Sequence, residues 1–120
     1  MRPRNFRNYK VWQDSINFAT AIYQETRSFP SYEKYGLASQ LQRAAVSISS
    51  NIAEGAAKSS DIDFARFLDM ALGSSYEVES QLLIAKNIGY FNEDIFSKLL
   101  TENIEIQKQL TSFAAKVREA

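Results

Sequence analysis

The sequence predicts an all-α chain folded as an antiparallel up-down-up-down four-helix bundle. Three observations predict it. Apolar residues recur at steps of three and four over four long stretches, and the two prolines and four glycines fall mostly where that periodicity stops. No stretch alternates apolar with polar residues as a half-buried strand does. Four helices joined by short links have few ways to bury their apolar stripes, and packing each against the next is the simplest. A chain of 120 residues builds one core. The expected layout is a basic N-terminal arm over about residues 1–8, then helices at about 9–28, 37–55, 61–88 and 93–118.

In the first helix Tyr9, Trp12, Ile16, Ala19, Tyr23 and Thr26 form one amphipathic seam, which Pro30 ends. Val11, Phe18, Ile22 and Phe29 form a second apolar line, about a third of a turn away. A bundle helix needs one stripe. The second line therefore predicts burial on two sides, with Val11, Phe18, Ile22 and Phe29 at an interface between subunits.

The second helix puts Leu37, Leu41, Ala44, Ala45, Ile48 and Ile52 inward, with Gly55 as its expected C-terminal cap. Its polar residues are ordered too. Gln40, Arg43, Ser47, Asn51 and Glu54 fall within an arc of about 80°, beside that of Leu41, Ile48 and Ile52. This placement predicts half-buried side chains that need partners, and Glu79 on the third helix is the expected partner of Arg43. Arg43 and Glu54 are about 16 Å apart along the axis and cannot pair with each other.

The third helix opens with Ser60 as N-cap and Asp63 three residues on. Phe64, Phe67, Leu68, Ala71, Ser75, Val78, Leu82 and Ala85 share a face, and Gly89 marks the end. Gly73-Ser74-Ser75 reads as a notch of small residues that admits a close neighbour. The fourth helix starts at Asn92, with Glu93 and Asp94 in the first turn where acids suit the helix dipole. Leu99, Asn103, Ile106, Leu110, Phe113 and Val117 form its seam. Asn103 is the one polar member, the kind of residue that fixes register.

Composition excludes several chemistries. There is no His and no Cys. Disulfides, the usual zinc sites, haem ligation by His or Cys, and Cys-His or Ser-His-Asp catalysis are thereby removed. A carboxylate-only metal centre needs inward-facing acids. Glu102 and Glu105 lie off the apolar seam, Asp61 and Asp63 are explained by capping, and Glu77 and Glu79 point to different faces. No catalytic residue, cofactor or metal is expected.

Fourteen bases balance fourteen acids, but Arg2, Arg4, Arg7 and Lys10 give the first ten residues a charge of +4 and leave the rest at −4. With Phe6 and Tyr9 interleaved, that arm is a candidate nucleic-acid contact. No window approaches the roughly eighteen apolar residues of a membrane span, and Lys10, Gln13 and Asp14 stand where a signal peptide needs an apolar run. A cytoplasmic chain is expected.

The second helix also carries a resemblance. The matching residues there are Gln40-x-x-Arg43-Ala44-Ala45-x-Ser47-Ile48 and Asn51-Ile52-Ala53-Glu54-Gly55. Upstream they are Val11-Trp12-Gln13, Phe29-Pro30 and Glu33-x-Tyr35-Gly36-Leu37. Downstream they are Phe67-Leu68-x-x-Ala71-x-Gly73-Ser74, Glu77-x-Glu79-x-x-Leu82 and Gly89-Tyr90. Over about residues 9–90 the chain resembles the bacterial 23S rRNA-intervening-sequence proteins. The resemblance implies an antiparallel four-helix bundle that assembles into a cyclic homo-oligomer, typically a pentamer, in a family with no established catalytic activity. Some members are encoded within ribosomal RNA genes. A related group serves as the accessory protein of diversity-generating retroelements, where the ring binds reverse transcriptase and nucleic acid. The expected function is a non-enzymatic scaffold or adaptor for a protein partner, and the alternative is a nucleic-acid-binding ring that uses the basic arms.

Overall fold

The computed structural model describes residues 3–120. The chain is all-α, with four long helices and no strand among the described residues. They are α1 (Lys10–Thr26), α2 (Leu37–Ala56), α3 (Asp61–Ile88) and α4 (Glu93–Glu119), with single 3-10 turns at Phe6–Asn8 and Ser31–Glu33. No described helix is long and apolar enough to cross a membrane.

The ends of the helices follow from local chemistry. Ser60 accepts a hydrogen bond from the Asp63 amide at 3.1 Å, and Asn92 accepts one from the Ile95 amide at 2.8 Å. Each satisfies a backbone donor that the first helical turn leaves free. Gly89 closes α3 at φ 93°, a conformation glycine adopts without steric cost, and the Tyr90 amide reaches back to the Ala85 carbonyl at 2.9 Å. At the start of α2 the capping group comes from the preceding turn, because Glu33 Oε1 accepts from the Leu37 amide at 3.1 Å. The other oxygen of Glu33 accepts from the Tyr90 hydroxyl at 2.8 Å, and Tyr32 and Tyr90 share a hydrogen bond at 3.1 Å. This network ties the α1–α2 link to the end of α3. Bonding to Tyr32 and to Glu33 holds the Tyr90 phenol well above its ordinary pKa.

Gly55 is not the cap of α2. The helix runs on through Ala56, and Gly55 is buried inside it. A Cβ there would stand 2.6 Å from Phe67 Cβ and 3.1 Å from Phe64 Cδ1, so the glycine lets α2 and α3 approach closely.

α2 packs on α3, α3 on α4, and α1 on both α2 and α4. The backbones of α1 and α3, and of α2 and α4, stay more than 8 Å apart between Cα atoms, so these pairs are diagonal. Phe18, Ile22, Leu41, Ile48, Phe64, Leu68, Leu82, Leu99, Ile106 and Leu110 fill the middle. One polar pair lies among them: Ser75 donates to Asn103 Oδ1 at 2.7 Å, and Asn103 Nδ2 donates to the Ser75 carbonyl at 3.0 Å. Both residues are fully buried and mutually satisfied, which pins the register of α4 on α3.

Candidate functional site

The structure buries both apolar lines on α1 in the chain's own core, the second more fully than the first: of the expected seam, Ala19 and Thr26 are buried and Tyr9 packs on Phe64 and Phe113. Val11, Phe18, Ile22 and Phe29, expected at a subunit interface, are buried in the chain's own core. Ser15 joins them by turning its hydroxyl to the Val11 carbonyl at 2.6 Å. Phe29, beyond the helix, packs on Phe91 and Tyr90 with ring centroids 5.1 and 4.9 Å away. The expected core seam is the line that partly faces outward, with Trp12 half-buried, Ile16 40% exposed and Tyr23 46% exposed. Two lines a third of a turn apart cannot be ranked from one helix, because the positions of α2 and α4 decide which faces in.

On the neighbouring helix Val46 is 40% exposed, and Gln42, bonded to Thr26 at 3.0 Å, marks the side of α2 that faces α1. Trp12, Ile16, Tyr23, Gln42, Val46 and Ala53 thus make an uncharged surface along α1 and α2. A second surface, mixed in polarity with Glu79, Gln107 and Lys108 in it, runs along α3 and α4. Tyr76 and Leu83 protrude there, and depressions of about 470 and 450 Å³ flank Tyr76. The first is lined by Ile104, Lys108 and Thr111, the second by Ser80 and Leu83.

The polar stripe of α2 divides in two. Ser47 and Asn51 are half-buried: Asn51 Nδ2 donates to the Ser47 carbonyl at 2.9 Å and to its hydroxyl at 3.0 Å, and that hydroxyl meets Ser74 at 2.9 Å. Gln40, Arg43 and Glu54 are exposed instead of half-buried. The expected Arg43–Glu79 pair does not form, because Glu79 lies on the α4 side of α3 and accepts from Gln107 Nε2 at 2.8 Å. The acid on the α2 side is Glu77, two residues earlier and more than half a turn away. Arg43 and Glu77 line one cleft of about 590 Å³ with Tyr35, Ser39, Gln40, Ala44 and Ser47.

The basic arm is only partly free. Arg2 lies outside the described residues. Arg4 is folded onto the chain, donating to the Ala56 and Lys58 carbonyls at 3.3 and 2.5 Å and pairing with Asp61 at 2.6 Å, with its guanidinium over the Phe64 ring. The side chain is 15% exposed, so this cation caps the end of α2 and is spent on the fold. Arg7 is exposed, beside the Phe6 ring and Asn5. Lys10 pairs with Asp14 at 2.6 Å. Burial pushes the Asp14 carboxyl up, but hydrogen bonds from Lys10 and Gln109 outweigh it and hold Asp14 below its ordinary range.

Between α1 and α4 runs an open groove of about 510 Å³, lined by Asp14, Asn17, Ala21, Lys98, Glu102, Glu105 and Ile106. Among the described residues no three acids converge as ligands of a metal ion would.

Tyr76 and Leu83 carry no signal in the sequence pattern, and Tyr35 and Glu77 stand there within the family motif. Tyr35 is 88% exposed, and such prominence of an aromatic side chain, seen in the structure, is the signal for it and for Tyr76. Glu77 was discarded as half of an acid pair, although its spacing from Glu79 already placed it on the opposite side of α3 from that residue.

Helix arrangement and surface together define a small all-α domain whose polar signature lies on outer faces of α2 and α3. The chain belongs to the 23S rRNA-intervening sequence protein family, which matches residues 7–112. It is similar to a solved structure, a Bacteroides thetaiotaomicron protein of unknown function from the S23 ribosomal protein family. That structure shares 26% identity at a TM-score of 0.78, over 87% of this chain and 97% of the other. No curated protein matches the chain.

Proposed function

We propose that the chain is an antiparallel up-down-up-down four-helix bundle that assembles head-to-tail into a closed cytoplasmic ring, a pentamer by resemblance to its family, and serves as a non-enzymatic scaffold for a protein partner. Side-chain pairs support the bundle topology. Ser47 with Ser74 and Glu33 with Tyr90 run α2 against α3, Lys86 with Glu93 and Asp69 with Arg118 run α3 against α4, and Tyr9 with Phe113 joins the start of α1 to the end of α4.

The observation that carries the ring is a pair of unlike surfaces, one uncharged with Trp12, Ile16 and Tyr23, the other mixed with Tyr76 and Leu83 protruding. One lies along α1 and α2 and the other along α3 and α4, on opposite sides of an arrangement in which α1 is diagonal to α3 and α2 to α4. Loss of charge with gain of aromatic residues marks the centre of an interface. Unlike patches on opposite sides favour heterologous contacts, which close into rings. The chain measures 49 × 23 × 19 Å, so one long side offers roughly 1,000 Å², against about 800 Å² per partner in a standard interface. The nucleic-acid reading is weakened at Arg4, which is engaged within the chain, while Arg7 is exposed and Lys10 is paired with Asp14.

Complementation between two variants tests the reading. Ile16→Asp spoils one surface and Tyr76→Asp the other, and native mass spectrometry should find each alone as a monomer with wild-type helicity. Mixed, they should form a dimer and nothing larger, because one intact pair of surfaces remains. A monomeric wild type, or rings from either variant alone, refutes it.

A further inference from the structure

The cleft between α2 and α3 holds a base and an acid that do not pair with each other. Arg43 lines one side and Glu77 the other, and neither forms an ion pair within 4.0 Å among the described residues. Both side chains are exposed, so each charge is open to a ligand in the cleft. Here the α2 wall adds donors, the Gln40 amide and the Ser39 hydroxyl, beside the Arg43 guanidinium. The acceptors on the α3 side are the oxygens of the Glu77 carboxylate. Glu77 receives one long hydrogen bond, from Gln81 Nε2 at 3.4 Å. Gln81 itself is buried beneath Glu77 and is not part of the cleft lining.

We propose that this cleft binds a small zwitterion of the α-amino-acid type, with its carboxylate on Arg43 and its ammonium on Glu77. The ammonium brings three donors to the acceptor side. The guanidinium fork matches a carboxylate with two parallel hydrogen bonds. Ala44 and the exposed ring of Tyr35 offer apolar surface for the ligand's side chain. The volume, about 590 Å³, lies within the range of small-molecule sites. A polyanion is a poorer fit, because Glu77 repels it. The site stands independently of the ring.

The experiment uses the full chain and the twenty common amino acids, screened by saturation-transfer NMR. Affinity for the best binder and for its deaminated and decarboxylated analogues follows by calorimetry. At least one amino acid should bind, and each analogue, lacking one charge, should bind at least about tenfold more weakly. Arg43→Gln and Glu77→Gln should each cost at least about tenfold, with part of the loss recovered in Arg43→Lys. The proposal is overturned if no amino acid binds, if an analogue binds as well as its parent, or if either glutamine variant binds like wild type. Circular dichroism and native mass, taken on the same samples, separate loss of the site from loss of fold or assembly.

Discussion

Two glycines inside helices should respond to alanine with opposite sign. At Gly73 an added Cβ meets no heavy atom within 4 Å, so the substitution adds only helix propensity, about 0.8–1.0 kcal/mol in a helix interior. For a domain of this size that raises Tm by about 4 °C. At Gly55 the added carbon would stand 2.6 Å from Phe67 Cβ, where carbon atoms ordinarily rest about 3.5–4.0 Å apart. Phe67 Cβ is fixed to the α3 backbone, so the two helices must part by about 1 Å, and overpacking of this kind costs about 1–3 kcal/mol. The propensity gain is smaller here, one residue from the helix end, so Gly55→Ala should be net destabilising by about 1–2 kcal/mol. Urea unfolding followed by circular dichroism measures both, in an Ile16→Asp background so that assembly does not contribute. Unchanged m-values would show that the folded and unfolded states remain comparable. A destabilised Gly73→Ala or a neutral Gly55→Ala would refute the packing described for α2 on α3.

The remaining predictions concern polar pairs. Asn103→Ala leaves Ser75 buried without its partner and should cost about 2–3 kcal/mol in urea unfolding, whereas Ser75→Ala with Asn103→Leu replaces both members and should recover most of that loss. Asp14 has its folded pKa below the ordinary 3.8, so its contribution is complete above that value and disappears as pH falls through the folded value. Asp14→Asn should therefore lower stability at pH 7 by about 0.5 kcal/mol, the scale of an exposed pair, and leave it unchanged at pH 2.

Much of the fold was legible because it rests on local chemistry. Ser60, Gly89 and Asn92 mark helix ends through their own side chains or backbone, and a single sequence displays that. The polar seam member Asn103 announced a buried pair, though not that Ser75 would be its partner. What failed depended on neighbours. The apolar lines of α1 differ by a third of a turn, and only the positions of α2 and α4 decide which is buried more fully. Glu79 borders the apolar face of α3 and so stood as the partner of Arg43, but the rotation of α3 turns Glu79 to α4 and presents Glu77 instead. Arg4 read as part of a free arm because the carbonyls it caps, at Ala56 and Lys58, lie more than fifty residues away in sequence. Of the candidate sites, the stripe on α2 was visible as a pattern, whereas the cleft it lines needs α3 and the α1–α2 link together.

The open groove between the first and last helices bears on the order of assembly. Every other helix contact joins neighbours in the chain and closes through a short link, so α2, α3 and α4 can come together by local steps. Joining α1 to α4 closes a loop of about 70 residues, at an entropic cost that grows with the logarithm of its length. The return is modest, since α1 and α4 meet over a shorter stretch than α2 and α3 do. The junction that closes the longest loop is thus also the one where two packed helices meet over the shortest stretch.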